Sequence, residues 1–151
     1  MAWFTNTDEP QPVTLARVEK VFKDNDFSYE HCGDHLATGV NGFFLRAEII
    51  NDALLYFGFR FFNVPLPKEK LPDAEKWVQS RNLYGTIGTC GVGLDDDGDV
   101  YVDSDHVFLV LKGATDEQLA LYCQAGIEAQ LEHLEDFVEK FEIERPLSEE
   151  E

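Results

Sequence analysis

The chain has 151 residues, 44% of them hydrophobic and 28% charged, and its 30 acidic against 12 basic side chains set the formal net charge at −18. That length supports one domain with a real core, and the composition excludes both a disordered tail and a disulfide-held mini-protein. A field of this sign repels phosphate backbones and anionic lipid, so neither nucleic acid nor a membrane is expected as a direct partner.

Residues 1–12 hold Thr, Asn, Asp, Pro and Gln behind an aromatic pair and read as a flexible lead-in to a single domain over 13–144. They have neither the basic start nor the apolar stretch of a secretory leader. Thr14 suits a helix N-cap, with Leu15, Val18, Val21 and Phe22 following on one face and Asp24-Asn25-Asp26 as a stop. Alternation then begins. Phe27 to His31 reads as a strand and Cys32-Gly33-Asp34 as a turn. The segments 35–40 and 43–50 flank Asn41-Gly42, the strongest short hairpin signal. A two-residue turn there sets Val40 against Phe43, Thr38 against Leu45 and Leu36 against Ala47.

From Ala53 to Phe62 the apolar positions are Leu55, Phe57, Phe59 and Phe61. A two-residue turn at Asn51-Asp52 would oppose Ala47 with Tyr56; a three-residue loop opposes it with Phe57. Because a one-residue slip exchanges the faces of a strand, the apolar match predicts the odd loop. Residues 27–62 therefore read as an antiparallel meander with one aromatic face, the other face mixing Ala37, Gly39, Phe44, Arg46 and Glu48. Pro65 and Pro67 end it.

Pro72 predicts a helix to about Asn82 carrying Ala74, Trp77, Val78 and Arg81. Tyr84 to Leu94 is glycine-rich and β-like, Asp95-Asp96-Asp97-Gly98-Asp99 is a turn, and Val100–Val102 and Val107–Leu111 continue as strand. Thr115-Asp116-Glu117-Gln118 forms a capping box for a last helix to about Phe141. Residues 145–151 form an acidic tail, expected to be flexible.

The chemistry-bearing groups are sparse. His31, Cys32, Asp34 and His35 carry metal-ligating atoms but lack the paired spacings of a zinc site, and an ion pair between His35 and Glu48 would explain the second histidine. The acidic turn 95–99 misses the sixth-position glycine and twelfth-position glutamate of a calcium loop, leaving only weak calcium binding in view. Cys32, Cys90 and Cys123 are widely spaced and odd in number, which suits free thiols in a reducing cytoplasm. Cys123 and Cys90 sit on apolar faces, and His106 and His133 have no partner at catalytic spacing. No catalytic residue, metal site or cofactor is expected.

The order of elements resembles the YbjN family of small bacterial proteins. The residues that carry the resemblance are Leu94-Asp95-Asp96-Asp97-Gly98-Asp99-Val100, Gly113-Ala114-Thr115-Asp116-Glu117-Gln118-Leu119, and Asn82-Leu83-Tyr84 after the Trp77 helix. The resemblance implies an α+β fold with helices packed on one face of a curved antiparallel sheet, as in type III secretion chaperones. It also implies a non-enzymatic, cytoplasmic regulator that binds another protein or a second copy of itself as a homodimer. Two alternatives stand beside it: a small-ligand binder or enzyme using the concave aromatic face, and an acidic mimic of nucleic acid.

One surface can be nominated from spacing alone. Leu131, Leu134, Val138 and Phe141 continue from Ile127 in steps of four and three, the pattern of a helix–helix seam. The same stripe fits packing on the sheet, the commoner arrangement in a lone domain. Yet a helix of roughly 40 Å outruns a typical strand of about 17–20 Å, so residues 131–141 are expected to overhang and meet a protein partner.

Overall fold

The computed structural model describes residues 9–144; residues 1–8 of the lead-in and the acidic tail 145–151 lie outside the described residues. Gln11 and Ala114 exchange backbone hydrogen bonds at 3.1 and 2.9 Å, so the end of the lead-in is fixed to the far part of the domain. Arg17 secures this join by donating to the carbonyls of Gln11, Pro12 and Ala114 and to Asp116.

Thr14 accepts the Arg17 backbone N–H and starts α1 (Leu15–Asp24), which buries Val18 and Phe22. Asp26 takes a left-handed conformation (φ 59°), letting the Phe27 N–H reach the Phe22 carbonyl at 2.9 Å while the two rings meet at 5.7 Å. This helix closure occupies the Phe27 amide. The first strand, β1 (Glu30–Cys32), therefore starts later than the alternation predicts.

The rest of the meander follows the predicted register. β2 (His35–Val40) and β3 (Phe43–Ile50) turn at Asn41 (φ 51°) and Gly42 (φ 86°), the doubly left-handed turn that matches strand twist. Ala47 lies between Leu36 of β2 and Phe57 of β4 (Leu54–Val64). The three-residue loop is built on left-handed Asn51 and Asp52, and Ala53 N–H returns to Ile50 at 3.1 Å. β4 continues beyond the predicted Phe62 to Val64 through an irregularity at left-handed Asn63.

A 3-10 turn (Lys68–Lys70) leads into α2 (Leu71–Tyr84), with Ala74 and Trp77 buried. Gly85 N–H closes α2 on Arg81 O at 2.7 Å, so Tyr84, predicted as strand, ends the helix instead, and β5 begins only at Thr89 (Thr89–Leu94). The acidic turn is organised by Asp95, whose carboxylate accepts the backbone N–H groups of Asp97 and Asp99, both at 2.9 Å. β6 (Val100–Leu109) runs unbroken through Asp103-Ser104-Asp105-His106, where low hydrophobicity predicts a gap. Buried Ser104 and half-buried His106 face inward there, and the two aspartates face outward. α3 (Asp116–Lys140) opens with the predicted capping box of Thr115 and Gln118.

The strand order is β1-β2-β3-β4-β6-β5, antiparallel throughout. α1, α2 and α3 cover one face, burying Leu36, Leu45, Ala47, Leu55, Phe57, Phe59, Phe61 and Val102. The aromatic face of the meander is thus filled by helices rather than open to a ligand.

Cys123 and Cys90 belong to this core, and burial pushes their thiols up to about 12 and about 11. Since the thiolate is the reactive form, a thiol reagent on the native protein is expected to label half-buried Cys32 first and Cys123 last. Mass spectrometry of the modified sites reads the order; labelling of Cys123 ahead of Cys32 would contradict this packing.

Candidate functional site

The stripe on α3 is not a free surface. Leu134 is 0% and Val138 5% exposed, while Leu131 and Phe141 are half-buried against the core. The expected overhang fails because β4, at eleven residues, is roughly 36 Å long, close to the roughly 38 Å of the 25-residue α3. The second half of α3 is also gripped from the side. Trp77 of α2 meets Phe137 edge-on at 5.0 Å, its indole N–H donates to Asp136 at 2.7 Å, and Phe137 packs on Phe141 at 4.7 Å.

The histidines and cysteines disperse likewise. His31 pairs with Glu19 of α1 at 3.2 Å. His35 does lie opposite Glu48 in register, but its imidazole pairs with Asp34 at 2.9 Å, and Glu48 takes Arg46 at 2.8 Å. His133 is buried beside a cleft of about 330 Å³. Its Nε2 faces the Ile87 carbonyl at 2.8 Å and its Nδ1 accepts from Arg81 Nε at 2.9 Å, which requires the Nε2–H tautomer and uses both ring nitrogens. Arg81 and His133 are 52 residues apart, so no local motif could announce the pair. His106 accepts the Gly88 N–H at 3.2 Å. Cys90 in this neighbourhood is held as a thiol by burial, so the cluster offers no activated nucleophile.

Among the described residues, no element covers the outward face of the sheet. Register brings Phe44, Arg60, Asp103 and Gly91 into one row across four strands, and Arg46, Gly58, Asp105 and Thr89 into the next. Phe44 and Phe62 are 40% and 48% exposed and pair at 6.1 Å. Arg60 reaches Asp103 at 3.0 Å and lies over the rings of Tyr101 (4.7 Å) and Phe62 (5.7 Å). Tyr56 leans along β4 across Gly58, where any side chain would strike its phenol. Phe44, Arg46, Tyr56, Arg60, Phe62 and the two aspartates line a shallow depression of about 270 Å³. The sequence marked this face only as mixed; its glycines at 58 and 91, which leave room for Tyr56 and Asp103, are the signal that could have singled it out.

Two shifts report the electrostatics of the depression. Partial desolvation, followed by the charge of Asp105, raises the Tyr56 phenol, and desolvation, followed by Asp103, raises the Asp105 carboxyl. A carboxyl raised on folding favours the native state below its unfolded value near 3.8 and penalises it as pH climbs through the folded value. Asp105→Asn is therefore expected to raise the denaturation midpoint at pH 7 and to lose that advantage near pH 3. Urea melts at both pH values check this; a lower midpoint at pH 7 would contradict it.

Against this geometry, a family model for YbjN, described as "Putative bacterial sensory transduction regulator", matches residues 14–141. The chain belongs to the YbjN family. The YbjN match spans all three helices and all six strands. The chain is also similar to the crystal structure of YbjN from E. coli, described as "a putative transcription regulator", with 14% identity and a TM-score of 0.72 over 89% of this chain and 98% of that one. A second similar structure is the Yersinia pestis type III secretion chaperone SycH, solved in complex with a stable fragment of YscM2. It shares 18% identity, with a TM-score of 0.49 over 83% of this chain and 97% of that one. No curated protein matches. The E. coli YbjN structure supports the expected α+β fold, an open antiparallel sheet with its helices on one side.

Proposed function

We propose that the protein is a non-enzymatic regulator of the YbjN type that acts by binding another protein through the uncovered face of its sheet. One observation carries the reading. In a chain with net charge −18, the helix-free face presents the exposed Phe44–Phe62 pair, with Arg60 and Tyr101 ordered beside it. Aromatic residues and arginine in an ordered, polar-rimmed patch are what protein interfaces select. The depression is too open to enclose most of a small ligand, which favours a macromolecular partner. Three free cysteines suit a cytoplasmic location.

A photo-crosslinking amino acid placed at residue 62, with residue 76 on α2 as control, tests the reading in cell extract. The expected result is a discrete adduct from residue 62 that Phe44→Ser abolishes, and none from residue 76. Adducts from both positions, or from neither, would contradict it.

A further inference from the structure

The charges on the uncovered face balance unevenly. Arg46 is matched by Glu48 at 2.8 Å and Arg60 by Asp103 at 3.0 Å. Asp105 makes no ion pair among the described residues. Its neighbours across the ladder are Gly58 and Thr89, which bring neither a counter-charge nor bulk. Beside it lies the phenol of Tyr56, and Phe44 and Phe62 stand on the same depression.

The face already holds one cation with this combination of groups. Arg60 is a guanidinium placed over Tyr101 and Phe62 and anchored by Asp103. One row along, Asp105 and the Tyr56 phenol repeat the carboxylate and the aromatic ring, but among the described residues the one cation of that row, Arg46, is taken by Glu48. Aromatic faces attract cations, and a carboxylate forms its stronger hydrogen bonds with charged donors.

Resting on the docking reading above, we propose that Asp105, with the Tyr56 phenol beside it, seats a lysine or arginine side chain of the docked protein partner. The partner therefore presents a basic residue to the face, and the acidic charge of the whole chain speeds its encounter. A carboxylate whose in-chain surroundings penalise its ionised form, kept at an exposed aromatic face, fits a group retained for recognition rather than for stability.

Fluorescence anisotropy with a labelled eight-residue peptide alternating threonine and arginine tests this, using the full chain. The same peptide with glutamine in place of arginine serves as the uncharged probe. The arginine peptide is expected to bind and the glutamine peptide not to. Asp105→Asn should weaken binding roughly tenfold while melting no lower than wild type at pH 7. Glu75→Gln, an equal change of charge on α2, should alter binding by less than about twofold. Equal weakening by the two variants would reduce the effect to net charge and overturn the proposal. So would absence of binding, or displacement by spermidine as effective as by unlabelled peptide, which would assign the seat to small cations. An adduct from residue 62 that survives Asp105→Asn unchanged would defeat this inference and leave the docking reading standing. Asp105-dependent peptide binding without any adduct from residue 62 would do the reverse.

Discussion

Trp77→Ala is expected to destabilise the protein by about 3–5 kcal/mol, the usual cost of emptying a buried aromatic site. Trp77 is 2% exposed and sits where α2 meets the second half of α3. Three losses combine there: the buried indole surface, the edge-on contact with Phe137, and the hydrogen bond to Asp136. The third can be isolated. Trp77→Phe keeps an aromatic ring but no N–H, and Asp136→Ala removes the acceptor. A double-mutant cycle on that pair is expected to return a coupling of about 1.5–2 kcal/mol, the low end for a hydrogen bond to a charged group because Asp136 is half-exposed. Urea denaturation at pH 7 reads all of these values. A cost below about 1 kcal/mol for Trp77→Ala would mean that α2 does not hold α3 in the way described.

Gly126→Leu is the second large effect, expected at about 3 kcal/mol because it overpacks the seam between helix and sheet. A Cβ built on Gly126 lies 2.6 Å from Cδ2 of the Phe57 ring, closer than real Cβ atoms approach. Gly126→Ala should cost less, since alanine in a helix interior regains about 1 kcal/mol over glycine. If the ring is what forbids a side chain, shrinking it must relieve the clash. Gly126→Ala combined with Phe57→Leu should then be less destabilised than the sum of the two single changes. Additivity would show that Phe57 is not the obstacle.

These two positions also show where the sequence was legible. Asn41-Gly42, the odd loop after Asn51, the Thr14 cap and the Thr115–Gln118 box all rest on residues within a few positions of one another, and each formed as read. Trp77 with Asp136 and Arg81 with His133 join residues 59 and 52 apart, and neither pair leaves a local trace. The overhang of α3 was inferred from an average strand length, which β4 exceeds. The break expected in β6 left Asp103 to His106 outside the two predicted strand segments. Asp103 and Asp105 are strand residues whose side chains point to solvent while Ser104, between them, points to the helices.

The candidate face was hidden for a related reason. From sequence, Phe44 and Arg46 could be put on one side of the meander, but their neighbours Asp103 and Asp105 come from β6, paired to β4 over more than forty positions. Aromatic richness pointed instead to the face that the helices occupy. The candidate surface follows from which face the helices leave bare, a property of packing rather than of any short motif.

The central claim is that this bare face, and not the helical side, carries recognition. The most direct measurement is the amide NMR spectrum of the full chain titrated with the arginine-containing peptide. The account predicts shifts at residues 44, 46, 56, 58, 60, 62, 103 and 105, with α2 and the outer surface of α3 unmoved. Shifts concentrated on α1 and α3 around Ala120 and Gln124, or on the cleft at Arg81 and His133, would contradict it.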